Sequence, residues 1–161
     1  MTEKEIWNAL KEKGFPEIVL VGINLSAYGT DCGKNICDAV RLASEKGFER
    51  IRLGSLEPDH ITDEIIEELA KIPNFCPQFH ISLQSGCNKT LKNMNRHYTA
   101  EEYYHLCEKL RESFKDASIT TDIMVGFSYE TDEDFEESVS FAEKIGFEKV
   151  HVFPYSVRKG T

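Results

Sequence analysis

Five short stretches rich in Ile and Val recur along the chain at intervals of about 30 to 40 residues. They are EIVLVGI (17–23), RIRLG (50–54), FHISL (79–83), SITTDIMVG (118–126) and KVHVFPY (149–155). Stretches with helical periodicity separate them, at 34–46, 62–72, 99–114 and 131–145, and another precedes the first at about 2–13. β-Branched runs of this length suit buried strands. A strand–helix alternation at this spacing implies a parallel sheet with right-handed crossovers. At 161 residues the chain suits a single α/β domain over 1–161.

Turn and cap residues agree with these boundaries. Thr99 and Glu102 have the spacing of a capping box, Thr131 and Asp134 resemble one, and Thr62 precedes Asp63 and Glu64 at a third helix start. Three helices stop at a Gly-Phe pair: Gly14-Phe15, Gly47-Phe48 and Gly146-Phe147. Glycine there takes the left-handed conformation without a steric penalty, and the Phe is free to fold back on the last turn.

The net charge of −9 excludes a chain that as a whole clamps nucleic acid. One local run departs from it: NKTLKNMNRHY (88–98) carries Lys89, Lys92, Arg96 and His97 and no acid. That run suits either a surface facing a phosphodiester or a solvated helix face. No apolar run approaches a membrane span, and the N-terminus reads as a charged helix rather than a signal peptide, so a cytoplasmic protein is expected. The five cysteines, 32, 37, 76, 87 and 107, form no C-x-x-C, which points to free thiols and away from zinc. Phosphate-loop, dinucleotide-binding and zinc-protease signatures are absent as well.

In parallel α/β folds ligands gather at the C-terminal strand ends. Every strand here is followed by hydrogen-bonding groups: Asn24, Ser26 and Tyr28; Ser55, Glu57 and Asp59; Gln84 and Ser85; Gly126 after the strand carrying Asp122; Tyr155, Ser156 and Arg158. An open doubly wound sheet concentrates its ligand at one switch point, whereas an even spread favours a full or partial barrel. Gln84 and Asp122 are the most telling, because they end or interrupt apolar strands. His60 and His97 are placed for a ligand in loops; His80, His105 and His151 read as core or surface.

The strings VLVGINLSAYG, RIRLGSLEP, HISLQSG…TLKNMNRHYT, TTDIMVGFSYETDEDFEES and HVFPYSVRKGT occur in this order over residues 16–161. Together they resemble the radical S-adenosylmethionine (SAM) domain of methylthiotransferases. Ile23-Asn24 and SLEP (55–58) look like the branch acting on N6-threonylcarbamoyladenosine in tRNA. The branches acting on isopentenyladenosine tRNA or on a ribosomal protein are the alternatives, beside a non-catalytic barrel module that holds SAM or a nucleoside.

The resemblance implies a partial (β/α) TIM-like barrel, SAM as cofactor and [4Fe-4S] clusters in the parent enzyme. The cluster that cleaves SAM would be held by a C-x3-C-x2-C loop after the first barrel strand, and this chain has no such motif. The chain thus resembles a fragment with the first strand and cluster loop removed, expected to be inactive alone, with no catalytic residue or metal ligand assigned. Carried over, Asn24, Ser55, Glu57, Gln84, Ser85, Asp122, Gly126 and Tyr155 would line the cofactor cleft, and Lys89, Lys92, Arg96 and His97 would meet substrate. The implied partners are tRNA, a sulfur donor and an electron donor, with self-association expected at the truncated barrel edge. Two departures stand out: Ser128-Tyr129 replaces the family's Pro-Gly, and SVRKGT replaces SPRPGT.

Overall fold

The computed structural model describes residues 3–157. Six strands and six α-helices alternate: α1 (Glu3–Glu12), β1 (Glu17–Leu20), α2 (Ile36–Glu45), β2 (Arg50–Leu53), β3 (Ser55–Leu56), α3 (Asp63–Ala70), β4 (Gln78–Ile81), α4 (Asn88–Asn93), α5 (Ala100–Ser113), β5 (Ser118–Val125), α6 (Asp132–Ile145) and β6 (Lys149–Pro154). All strand pairs are parallel: β1 with β2, and β3, β4, β5 and β6 in that order. The two sheets adjoin in chain order: only Gly54 separates β2 from β3, and an isolated bridge joins Ile51 to Phe75 just before β4. This is the order of a barrel wall. A doubly wound sheet would reverse direction at a switch point.

The strands alternate in burial. Along β5 the pattern places Ile119, Thr121 and Ile123 in the core, and Thr120 and Asp122 on the opposite, half-buried face. The core lies between the outer sheet face and the helices, with Phe79, Ile81 and Ile119 in one cluster with Val40, Ile66, Leu69, Tyr103 and Leu110. The inner, concave face is polar.

Caps follow the sequence closely. Thr99–Glu102 and Thr131–Asp134 form reciprocal boxes, Thr62 caps α3, and a further box, Asn35–Asp38, starts α2. Gly14, Gly47 and Gly146 all have left-handed φ. Phe48 is buried and Phe147 packs on the core as expected, but Phe15 is 54% exposed. The first strand stops at Leu20 instead of reaching Ile23. Val21 and Ile23, 75% and 111% exposed, have no sheet partner among the described residues. The basic run contains a short helix, α4, followed by Asn95 in the left-handed region.

Candidate functional site

The concave face carries a polar ladder across the strands. At the N-terminal end Glu17 accepts from Arg50 and Arg52 at 2.8 Å each, and Arg52 donates to Gln78 at 3.0 Å. These guanidinium groups, Arg50 first, hold the Glu17 carboxyl below its usual range. Further up, the register sets Ser55 beside His80, His80 beside Thr120, and Asp122 beside His151. His80 Nε2 lies 3.3 Å from Asp122 Oδ2, and its Nδ1 lies 2.9 Å from Thr120 Oγ1. Both ring nitrogens are thus engaged, Nε2 by the Asp122 carboxylate, which accepts, and Nδ1 by the Thr120 hydroxyl. The His151 ring stands edge-on, 6.0 Å from that of His80. His80 is therefore neither core nor plain surface, as its sequence context suggested, but the orienting partner of Asp122. Alternation within each strand hinted at this; the pairing became visible only with the register.

A second polar group forms where three loops meet beyond the strand ends. A 270 Å³ pocket is lined by Asn24, Glu57, Asp59, His60, Arg96 and His97, with Ile23, Asn95 and Tyr98 completing its wall. Arg96 pairs with Glu57 at 3.0 Å, and the Glu57 N–H donates to Ser26 Oγ at 2.9 Å. Asn24 Oδ1 caps the turn at Leu25–Ala27. Expected cofactor residues Asn24 and Glu57 and expected substrate residues Arg96 and His97 thus share one pocket. A larger depression of 610 Å³ lies between α3 and α5, with Glu102, Glu108 and Glu112 beside His105, Lys109 and several apolar residues in its lining.

The remaining expected residues separate. Gly126 is left-handed and exposed, with its N–H held by the Glu130 carboxylate. Tyr155 continues the β5 ladder through its N–H to Val125 and stacks edge-on with Phe127 at 4.9 Å. Ser55 is exposed at the start of β3, and Lys92 is exposed on α4. Ser85 is placed away from a ligand, and Lys89 is already paired. Ser85 is fully buried, and its hydroxyl accepts from the Cys87 N–H, so it builds the loop instead of facing a ligand. Lys89 is taken up by buried Asp134 at 2.7 Å, tying α4 to α6. Arg158 lies outside the described residues.

Gln84 is 7% exposed and has φ +67°, a conformation rare for a non-glycine residue.

The cysteines do not provide a cluster site. Cys37, Cys87 and Cys107 are buried on separate elements, and Cys32 and Cys76 stand apart from them. Burial pushes the Cys37 thiol up to about 11 and that of Cys107 up to about 12. Among the described residues no group of three or more His, Cys, Asp and Glu side chains is placed to hold a metal ion. The residues present therefore do not fit an iron–sulfur cluster. They do offer hydrogen-bonding groups suited to a ribose or base.

The Radical SAM superfamily profile matches residues 1–142. The threonylcarbamoyladenosine tRNA methylthiotransferase MtaB of Thermotoga maritima is 40% identical over 159 residues, 98% of this chain and 37% of that protein. The tRNA-2-methylthio-N(6)-dimethylallyladenosine synthase of Thermoanaerobacter sp. is 41% identical over 155 residues, 94% of this chain and 33% of that protein. The chain spans about a third of the length of the curated relatives it matches. Among solved structures, the radical S-adenosylmethionine methyltransferase TsrM of Kitasatospora setae superimposes with a TM-score of 0.71 at 15% identity, over 94% of this chain and 30% of that one. Streptococcus suis SuiB bound to S-adenosylmethionine gives 0.63 at 17% identity, over 98% and 34%. These distant likenesses bear on the fold and agree with a parallel partial barrel; the profile covers most of the chain, which belongs to the radical SAM superfamily.

Proposed function

We propose that this chain is the SAM-holding partial barrel of a tRNA methylthiotransferase whose substrate is N6-threonylcarbamoyladenosine in tRNA, modified at C2. The observation that carries this is about 40% identity, over nearly the whole chain, to curated enzymes named for methylthiolation of tRNA adenosines. Ile23-Asn24 and Ser55–Pro58 favour the threonylcarbamoyl branch, while an identity of 41% to a dimethylallyladenosine enzyme supports the second branch.

In this reading Asp122, held by His80, accepts from ligand hydroxyls on the concave face, and Gln84 offers both donor and acceptor at the end of β4. Asn24, Glu57, Arg96 and His97 form the upper wall, with Arg96 available to a phosphate that displaces Glu57. Bound SAM would supply the 5′-deoxyadenosyl group for radical chemistry. The parent enzyme would draw on a sulfur donor and an electron donor. Val19 and Val152, 41% and 63% exposed on the two outermost strands, support self-association of the isolated chain.

Mass analysis of tRNA nucleosides from a strain lacking the full-length gene tests the assignment. Loss of 2-methylthio-threonylcarbamoyladenosine is expected. Loss of the methylthio dimethylallyl nucleoside instead would move the protein to the second branch, and retention of both would refute tRNA methylthiolation.

A further inference from the structure

The concave face also opens at its lower end, opposite the loops that follow the strands. A 490 Å³ pocket lies where β2, β4 and β5 begin, at Arg50, Gln78 and Ser118, beside the segment 73–77 that leads into β4. Strand β5 runs from Ser118 to Val125, so this pocket lies about 20 Å from the rim. None of the residues expected at the rim lines it.

Its wall includes an acceptor that the fold leaves open. Asn74 Nδ2 donates to Phe48 C=O at 2.6 Å, which fixes the amide. Asn74 Oδ1 is buried and has no hydrogen-bond partner among the described residues. Buried acceptors without a donor are rare in folded proteins. Arg50 supplies the opposite character. Its Nε donates to Glu17 at 2.8 Å, while neither terminal nitrogen makes a hydrogen bond among the described residues. Arg52, by contrast, is consumed, with Nε and Nη2 on Glu17 and Nη1 on Gln78. Glu17 thus steadies Arg50 and leaves it a planar pair of donors, the geometry that matches a carboxylate.

Glu49 and Asp116 add two carboxylates to the lining, and Pro73, Phe75 and Pro77 add an apolar strip. A phosphate dianion would meet the two carboxylates, and a polyamine would meet Arg50. A zwitterion satisfies both signs at once. At 490 Å³ the pocket is of ordinary size for a small molecule.

We propose that this pocket is a second ligand site, which takes a free α-amino acid with a medium-sized apolar side chain. Arg50 receives the carboxylate, Asn74 Oδ1 and the acids at the mouth accept from the ammonium, and the side chain lies along Pro73, Phe75 and Pro77. The site does not depend on the chemistry at the rim.

Titration of the 161-residue chain with L-leucine, followed by amide NMR, tests the site. Saturable shifts are expected at Arg50, Cys76, Gln78 and Ser118, and none at Glu57, Gln84 or Tyr155. Arg50→Lys keeps the charge and loses the paired donors, so it should weaken binding about tenfold or more. The Arg50 side chain is 60% exposed, so this variant should fold as the wild type does. N-acetyl-L-leucine lacks the ammonium and leucinamide lacks the carboxylate, and each should bind about tenfold or more weakly than L-leucine. No saturable shift at millimolar L-leucine, or shifts confined to the rim, would overturn the site. Equal binding of N-acetyl-L-leucine or of inorganic phosphate would overturn the zwitterion. Unchanged affinity in Arg50→Lys would overturn the role of the guanidinium. Because the readout is binding at the lower end of the sheet, failure here leaves the tRNA assignment untouched.

Discussion

Tyr129 is expected to be a poor residue for its own backbone, and replacing it with glycine should stabilise the protein. The Glu130 N–H donates to Phe127 C=O at 2.9 Å, closing a four-residue turn with Tyr129 third. Tyr129 has φ +67°, while Ser128 is not left-handed, which makes the turn type II. That turn prefers Pro second and Gly third, the pair that Ser128-Tyr129 replaces. A left-handed conformation costs an L-residue roughly 1–2 kcal/mol. Glycine has more chain entropy to lose on folding, which takes back roughly 0.5–1 kcal/mol. The Tyr129 side chain is 88% exposed, so its removal sacrifices little burial. Tyr129→Gly should therefore gain up to about 1.5 kcal/mol, with a central value of about 0.7 kcal/mol, or about 1–3 °C in Tm for a chain of this size. Ser128→Pro added to it should contribute a further ~0.4–1 kcal/mol by restricting the unfolded chain. Urea unfolding, read by circular dichroism, measures both. A lower midpoint at unchanged slope for Tyr129→Gly would show that the tyrosine makes a contact worth more than its strain, and would refute the turn argument.

Two further outcomes follow from the loop after β4 and from the Lys89–Asp134 pair. A Cβ on Gly86 would lie 2.6 Å from Phe141 Cβ, inside packed core, so Gly86→Ala should lose roughly 1–3 kcal/mol in the same urea assay; wild-type stability would mean that α6 moves freely away from this loop. Hydrogen bonding from Lys89 holds the Asp134 carboxyl down at about 2, against an ordinary value near 3.8. Its depressed folded pKa contributes stability that is present above about 4 and lost as pH falls towards about 2. The acid limb of wild type between those values should thus be steeper than that of Asp134→Asn, and parallel limbs would contradict the pairing.

Much of the fold was legible because the strongest signals are local. Gly14, Gly47 and Gly146 mark helix ends by a conformation that few other residues tolerate, and Thr99 and Thr131 mark starts through their own side chains. Strand ends were less legible where a neighbour decides them: Val21 and Ile23 have full strand propensity, yet among the described residues no partner strand extends β1 past Leu20. The candidate site divides in the same way. Asn24, Glu57, Arg96 and His97 converge because each follows a strand or helix end, and position along the chain was enough to find them. Ser85 and Lys89 carry equally suitable groups, but partners 2 and 45 residues away consume them, and no local pattern announces Asp134 as the acceptor. His80 shows the converse. Its role depends on a register between β4 and β5 that a one-residue bulge then changes before Gln84, so the same strand holds a histidine in ladder order and a glutamine outside it. Polarity at the end of a strand therefore identified the neighbourhood of the site, while the division of labour within it is written in cross-strand pairing, which a single strand does not contain.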